Sequence, residues 1–272
     1  MPQRSEAEER QRQRLAKSRV LLQAALERSI AIELQRQIDE AAKRGAELAR
    51  QKRSREEITA GVIAAFLTVP FMVRLRVRVL SVVDAFVAHT GEELGGLTAE
   101  ARAEATRQAQ AWASQYAAQA ADDVAQSTAR IVIRVVLRSE AQGVAEDQIA
   151  EEILIAVSGD KGAARAKRIA GDMAHAVAGN TSNNTASVSN MHILREWVSM
   201  EDEKVRPTHV VADGQQVDLD QPFRVGGYFL RFPGDPLGPM QEVAGCRCVA
   251  LMKRGQKPRV EDVPNWMIGR KL

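Results

Sequence analysis

Cysteine, aromatic side chains and proline are all scarce in this chain of 272 residues, and each scarcity excludes something. Two cysteines, Cys246 and Cys248, rule out a disulfide-dense secreted scaffold. Aromatics are 4% of the chain and more than half of them follow residue 190, so the N-terminal part lacks bulky core material and favours long helices. No proline and one glycine, Gly45, fall between Ser5 and Glu57, so nothing there interrupts a helix. Long apolar runs are absent as well. Ile58 to Val73 carries no charge, but Pro70 interrupts it, and it falls short of the roughly 20 apolar residues a membrane-spanning helix needs. The chain is therefore expected to have no membrane partner. The first twenty residues are charged throughout, unlike a secretory signal, which together with the two cysteines predicts a reducing, cytoplasmic setting.

What is present is charge in clusters. The net charge is only +3, yet basic residues gather at Arg4 to Arg19, at residues 43–55 and in the tail from Lys253 to Lys271. Lys43, Arg44, Arg50, Lys52, Arg53 and Arg55 form the cluster with the fewest acids, and on a helix they would present donors to the phosphates of double-stranded DNA. Such binding releases counterions and is salt-sensitive and indifferent to sequence. The competing reading is a solvated helix face with Glu–Arg pairs. Aromatic stacking platforms are missing here, which argues against single-strand recognition.

Along the chain, Ser5 to Glu57 reads as one helix. Leu22, Leu26, Ile30, Leu34 and Ile38 recur every four residues, a stripe that drifts about 40° per step and suits a curved surface better than a straight two-helix seam. A second helical stretch covers Ile58 to His89 with a break at Pro70. Thr90 to Thr98 reads as a loop, and Thr98 caps a third long helix over Ala99 to Ser139. A short helix ends at Val157, "SGDKG" breaks the chain, and Ala163 to Val177 is helical again. Ala178 to Asn190 fits a loop or a continuation. From His192 the helical period disappears. "ILREWVSM" reads as a strand, "VVADGQQVDL" as a hairpin around Asp213-Gly214, "FRVGGYFLRF" as a hairpin around Gly226-Gly227, and "CRCVALM" as a last strand. The fold class is α+β: a long helical region over residues 1–160, a small domain with an antiparallel sheet over 161–252, and a basic tail over 253–272.

The C-terminal elements are the most specific part of the chain. Trp197 precedes Asp202, Arg206 and His209; a DG turn leads to Phe223; Pro233, Gly234, Asp235 and Pro236 form "PGDP"; and "CRC" closes the set. In order and number these resemble the C-terminal domain of the phage Mu F-like head morphogenesis family, the minor head proteins of tailed phages and prophages. The resemblance covers about Arg165 to Met252. It implies a low-copy protein made in the bacterial host cytoplasm, incorporated in the virion head and associated with the portal and other head proteins, which in some relatives contacts the packaged DNA. Relatives often carry an Arg-Thr-Glu-like element before the domain, where this chain has "RIAGDMAHAVAGN", with Asp172 its one acid.

Two groups of residues have the chemistry for a site. Spacings of four and three place Asp202, Arg206 and His209 as neighbours on a turn, where an Asp–Arg bridge would leave His209 for acid–base work. A nuclease-like or transferase-like enzyme using His209 is the rival to an assembly role, while simple tethering of a loop is the plainer reading, and no second catalytic group accompanies the histidine. In an extended strand Cys246 and Cys248 face one way and Arg247 the other. Packing against a core is the first reading of the thiols. Zinc, held by His209, Cys246 and Cys248 with His192 or Asp202 as a fourth ligand, is the second. No other cofactor is expected.

Overall fold

A computed structural model describes residues 5–255; Arg4 and the basic tail beyond Gly255 lie outside the described residues. The first helix, α1 (Glu6–Arg50), begins at a capping box, in which Ser5 Oγ accepts from the Glu8 N–H and the Glu8 carboxylate accepts from the Ser5 N–H. At about 1.5 Å per residue its 45 residues span roughly 68 Å. It does not run on to Glu57. The chain turns at Lys52, whose φ is 55°, and a second capping box, Ser54 with Glu57, starts α2 (Arg55–Phe66). The buried face of α1 keeps Leu26, Ile30, Leu34 and Ile38 of the apolar stripe and adds polar residues to it. Arg12, Ala16, Arg19, Gln23, Leu26, Ile30, Glu33 and Gln37 follow alternating steps of four and three, a heptad seam whose polar members are buried along with its apolar ones. Leu22 lies only partly buried beside it.

The next break comes at Leu67 and Thr68, not at Pro70. Pro70 sits in the first turn of α3 (Val69–Leu80), where its missing N–H is harmless. A further break at Ser81 and Val82 precedes α4 (Val83–Glu93), which takes up the first part of the expected loop. Thr98 Oγ1 accepts from the Ala101 N–H and caps α5 (Ala99–Ala141), which is followed by α6 (Glu146–Val157). The expected break at "SGDKG" is narrow: it falls at Ser158, which is extended, and Gly159, whose φ is 61°. Helix α7 (Gly159–Ser187) starts within it and continues through the polar stretch, burying Thr181, Ser182 and Thr185.

These helices pack as a bundle around α1, α5 and α7. Leu26, Ile30, Leu34 and Ile38 of α1 meet Phe66, Phe71, Leu75 and Val79 of α2 and α3, while α5 and α7 contribute Ala105, Ala109, Ala113, Ala166, Ala170 and Ala174. Alanine seams let helix axes approach closely, which is how a core forms with so few aromatics. Among the described residues no single helix is long and apolar enough to cross a membrane. The pair formed by α2 with Val69–Glu93 reaches that composition but is bent by 45°.

The sheet is antiparallel with the order β2-β1-β5, made of β1 (Ile193–Val198), β2 (Gln216–Asp218) and β5 (Val249–Arg254). Arg195 faces Val217 and Met252, and Trp197 faces Ala250. A separate hairpin joins β3 (Phe223–Val225) to β4 (Tyr228–Leu230) through Gly226 and Gly227, both at positive φ as a two-residue primed turn requires. The hairpin expected around Asp213-Gly214 does not form. Val210 and Val211 lie in the short helix α8 (Pro207–Ala212), and β2 pairs with β1 instead. A last helical turn, α9 (Met240–Val243), precedes the cysteines, and β5 starts at Val249, after "CRC" rather than with it.

Two buried arginines of α1 bind the bundle to the sheet. Arg12 Nε donates to Glu196 Oε1 at 2.7 Å and Nη2 to Asp213 Oδ1 at 2.7 Å, with Glu9 at 2.9 Å. Glu196, fully buried, also receives Lys253 and Gln216. Arg19 donates to Glu93 Oε1 at 2.7 Å and to the Ala250 carbonyl, and Glu93 Oε2 accepts from the Met252 N–H at 2.9 Å. The helical and sheet parts thus share charged contacts that link residues about 200 positions apart.

Candidate functional site

The side chains that converge do so between α8, α9 and the segment before β5. Pro207 starts α8 and carries His209 inward, where its ring stacks edge-on against Trp197 at 5.3 Å. Trp197 in turn meets Phe223 at 5.4 Å, which makes an aromatic wall behind the histidine. On the opposite side Gly245, at φ 63°, donates its N–H to Asp172 Oδ1 of α7 at 2.6 Å and turns the chain into "CRC". Cys246 and Cys248 point inward and Arg247 outward, the alternation of an extended chain.

His209 Nδ1 lies 3.4 Å from Cys248 Sγ and 3.7 Å from Cys246 Sγ. Its Nε2 is 3.2 Å from Glu242 Oε2, which also accepts from Thr208 Oγ1 at 2.8 Å. The ligand atoms of His209, Cys246 and Cys248 all lie within 4.8 Å of one another, and all three residues are buried. Cys246 is held well below the usual thiol range: hydrogen bonds from Cys248 and His209 stabilise its thiolate against the opposing effect of burial. Cys248 is pushed up, chiefly by its hydrogen bond to Cys246 and by burial. Burial draws the His209 pKa down, but the hydrogen bond and charge of Cys246 outweigh it and the net direction is upward.

Asp202, Arg206 and His209 do not come together. Asp202 pairs with Arg247 at 2.6 Å, and Arg206 donates to the Ala244 carbonyl, leaving His209 to the cysteines and Glu242. His192 is occupied with Asp218 at 3.0 Å. The "PGDP" segment is a braced turn. Asp235 accepts from Arg231 Nη2 at 2.6 Å and from the Leu237 N–H at 3.1 Å, and Gly234, at φ 75°, leaves no room for a Cβ, which would stand 2.7 Å from His175 Cβ. Pro233 and Pro236 flank this turn.

In the N-terminal basic cluster, Arg44 pairs with Glu47, Arg50 with Asp147, Lys52 with Glu146, Arg53 with Glu57 and Arg55 with Glu140, whereas no carboxylate partner of Lys43 occurs among the described residues. A different group of arginines lines a cleft of about 800 Å³ between α5, α7 and the loop after Gly234. Arg130, Arg134, Arg165 and Arg168 face it without a carboxylate ion pair among the described residues; Arg165 bonds Thr128 at 2.8 Å and Ser127 at 2.5 Å. Burial, with Arg168 nearby, lowers the Arg165 pKa. Sequence reading missed these four because they lie in two separated helical pairs, and it missed Glu242 because nothing in "MQEV" marks it as inward-facing.

The comparison with known families falls on this half of the molecule. Residues 130–251 match the family model described as Phage Mu protein F like protein. This region is Mu F-like. The match covers a little under half of the chain, starts inside α5 and ends inside β5, so the matched region contains α6, α7, most of the sheet, the cysteine–histidine cluster and all four cleft arginines. No curated protein and no solved structure matches the chain.

Proposed function

We propose that the protein acts in phage head morphogenesis as a minor head protein, made in the host cytoplasm and incorporated in the virion head. The observation that carries this reading is the Mu F-like match over residues 130–251. The helical region supplies a surface suited to a protein partner. Val69, Val73 and Val77 recur every four residues on α3 and are exposed, with Leu67 beside them, while the opposite face of α3 is buried in the bundle. A valine stripe facing water costs solubility unless something covers it. A phage portal protein is the partner we assign to it. Co-purification tests this: the full chain is expressed with that portal protein, beside a Val73→Glu/Val77→Glu variant. The wild type is expected to be retained on the portal and the variant to be lost at an unchanged melting temperature. Equal retention of both would refute α3 as the contact, and retention of neither would refute the portal as partner.

Contact with packaged double-stranded DNA is a second reading, and the cleft arginines favour it over the N-terminal cluster. Charges already paired with carboxylates gain little from phosphate, whereas Arg130, Arg134 and Arg168 are exposed and lack such partners among the described residues. An Arg130→Gln/Arg134→Gln/Arg168→Gln variant is expected to lose salt-sensitive retardation of duplex DNA in a gel, and Arg50→Gln/Arg53→Gln to keep it. The reverse pattern would return the contact to the N-terminal cluster. Cleavage of the DNA that vanishes in His209→Ala would instead favour the enzyme reading.

A further inference from the structure

We infer that His209, Cys246 and Cys248 form a zinc site, with Glu242 as the carboxylate that orients the histidine. The distances fit the ion before it arrives. Zinc holds sulfur at about 2.3 Å and imidazole nitrogen at about 2.0 Å, so in a tetrahedral site a sulfur and a nitrogen ligand stand about 3.5 Å apart. His209 Nδ1 is 3.4 Å and 3.7 Å from the two sulfurs. One small cation placed between these three atoms would touch all of them without moving a helix or strand.

The orientation of the ring is as telling as the distances. Nδ1 faces the sulfurs, and Nε2 faces Glu242 Oε2 at 3.2 Å. A metal-bound histidine needs its other nitrogen protonated and held, and a carboxylate in that position fixes the tautomer and raises the ligand's basicity. Glu242 is itself held by Thr208, and Gly226 packs against it where a Cβ would collide with Oε1. A purely packing role for two cysteines explains none of this. Apolar cores take free thiols readily, but they do not place an imidazole between two sulfurs and a carboxylate.

The site also has a place in the fold. Cys246 and Cys248 lie just before β5, His209 lies on α8 and Glu242 on α9, so the ion would tie together three short elements that have little hydrogen-bonded ladder of their own. All three ligands are buried, as in a structural site. The fourth position of the tetrahedron falls to water.

The test uses the full chain and the metal alone. Protein purified without added metal is assayed for zinc, stripped with a chelator, and titrated with zinc and then with cobalt. About one zinc per chain is expected, with a melting temperature that falls on stripping and recovers on zinc addition, and cobalt binding is expected to give a thiolate charge-transfer band in the near ultraviolet. Glu242→Gln, which keeps both sulfurs and the imidazole, is expected to weaken zinc binding roughly 10- to 100-fold. Cys246→Ser and Cys248→Ser are expected to abolish the cobalt band; if either fails to fold, the wild-type titration still decides. Wild-type protein that is folded, carries no zinc, shows no melting shift with zinc and gives no thiolate band with cobalt would overturn the inference. Zinc binding that is unchanged in Glu242→Gln would overturn the orienting role.

Discussion

Replacing Arg12 with methionine should cost far more than its position on a surface helix near the start of the chain suggests. Arg12 is 4% exposed and bonds Glu196 and Asp213 at 2.7 Å each and Glu9 at 2.9 Å. Burial alone lowers its pKa, but the hydrogen bond to Glu9 and the charges of Asp213 and Glu196 outweigh that and hold it above its ordinary value. Removing one partner of a buried charge network costs about 3–5 kcal/mol, because the remaining charges stay in a poor solvent. Here the lower end applies. Glu196 keeps Lys253 and Gln216, and Asp213 keeps the Ser199 N–H at 2.6 Å. A loss of about 3 kcal/mol corresponds to a melting shift of roughly 6–12 °C for a chain of this size. Thermal and urea unfolding of Arg12→Met measure it. A loss below about 1 kcal/mol, the value of an exposed ion pair, would refute the claim that this network joins the two halves of the molecule.

Further tests address local features. Gly179→Val should destabilise by about 1–3 kcal/mol, since its Cβ would collide with the buried Phe232 ring; denaturant midpoints check this, and an unchanged midpoint would mean Phe232 has room to move. Ser54→Ala should cost about 1 kcal/mol through loss of the α2 cap, read as a downward melting shift that a neutral result would contradict. Asp235 bears on acid stability. Burial raises its pKa, but hydrogen bonds from Arg231 and from the backbone N–H groups of Arg231 and Leu237 outweigh this and depress it. A depressed carboxylate contributes stability at pH values above its unfolded pKa of about 3.9 and loses that contribution as pH falls through the folded value. Melting temperature should therefore fall more steeply below about pH 4 in the wild type than in Asp235→Asn, and parallel curves would contradict the assignment.

The elements legible from sequence were those with local signals. Thr98 as a cap, the Gly226-Gly227 hairpin and the strand at Ile193 each depend on a few adjacent residues, and each lies where its pattern predicts. What escaped has a common cause. The four-residue repeat in α1 marks Leu26, Ile30, Leu34 and Ile38 but says nothing of Arg12 and Arg19, whose burial depends on acids and carbonyls far along the chain. The break after Arg50 carried a readable sign, Ser54 with Glu57, but lacked the glycine or proline that usually draws attention to a turn. Pro70 misled in the opposite sense, because a proline in the first turn starts a helix as readily as it ends one. At the candidate site, residue chemistry alone was enough to single out His209 and the cysteines. Glu242 and the cleft arginines emerge only once the short helices and α5–α7 are placed against one another.

The most direct test of the head-assembly account is to ask whether the chain is in the particle. Procapsids assembled from phage coat, portal and scaffolding proteins, in cells that also express this chain, are purified on a density gradient and their peptides quantified by mass spectrometry. The account predicts peptides of this chain in the particle peak, at far lower abundance than coat protein, and their loss with Val73→Glu/Val77→Glu. Particles that assemble normally and contain none of this chain would contradict it.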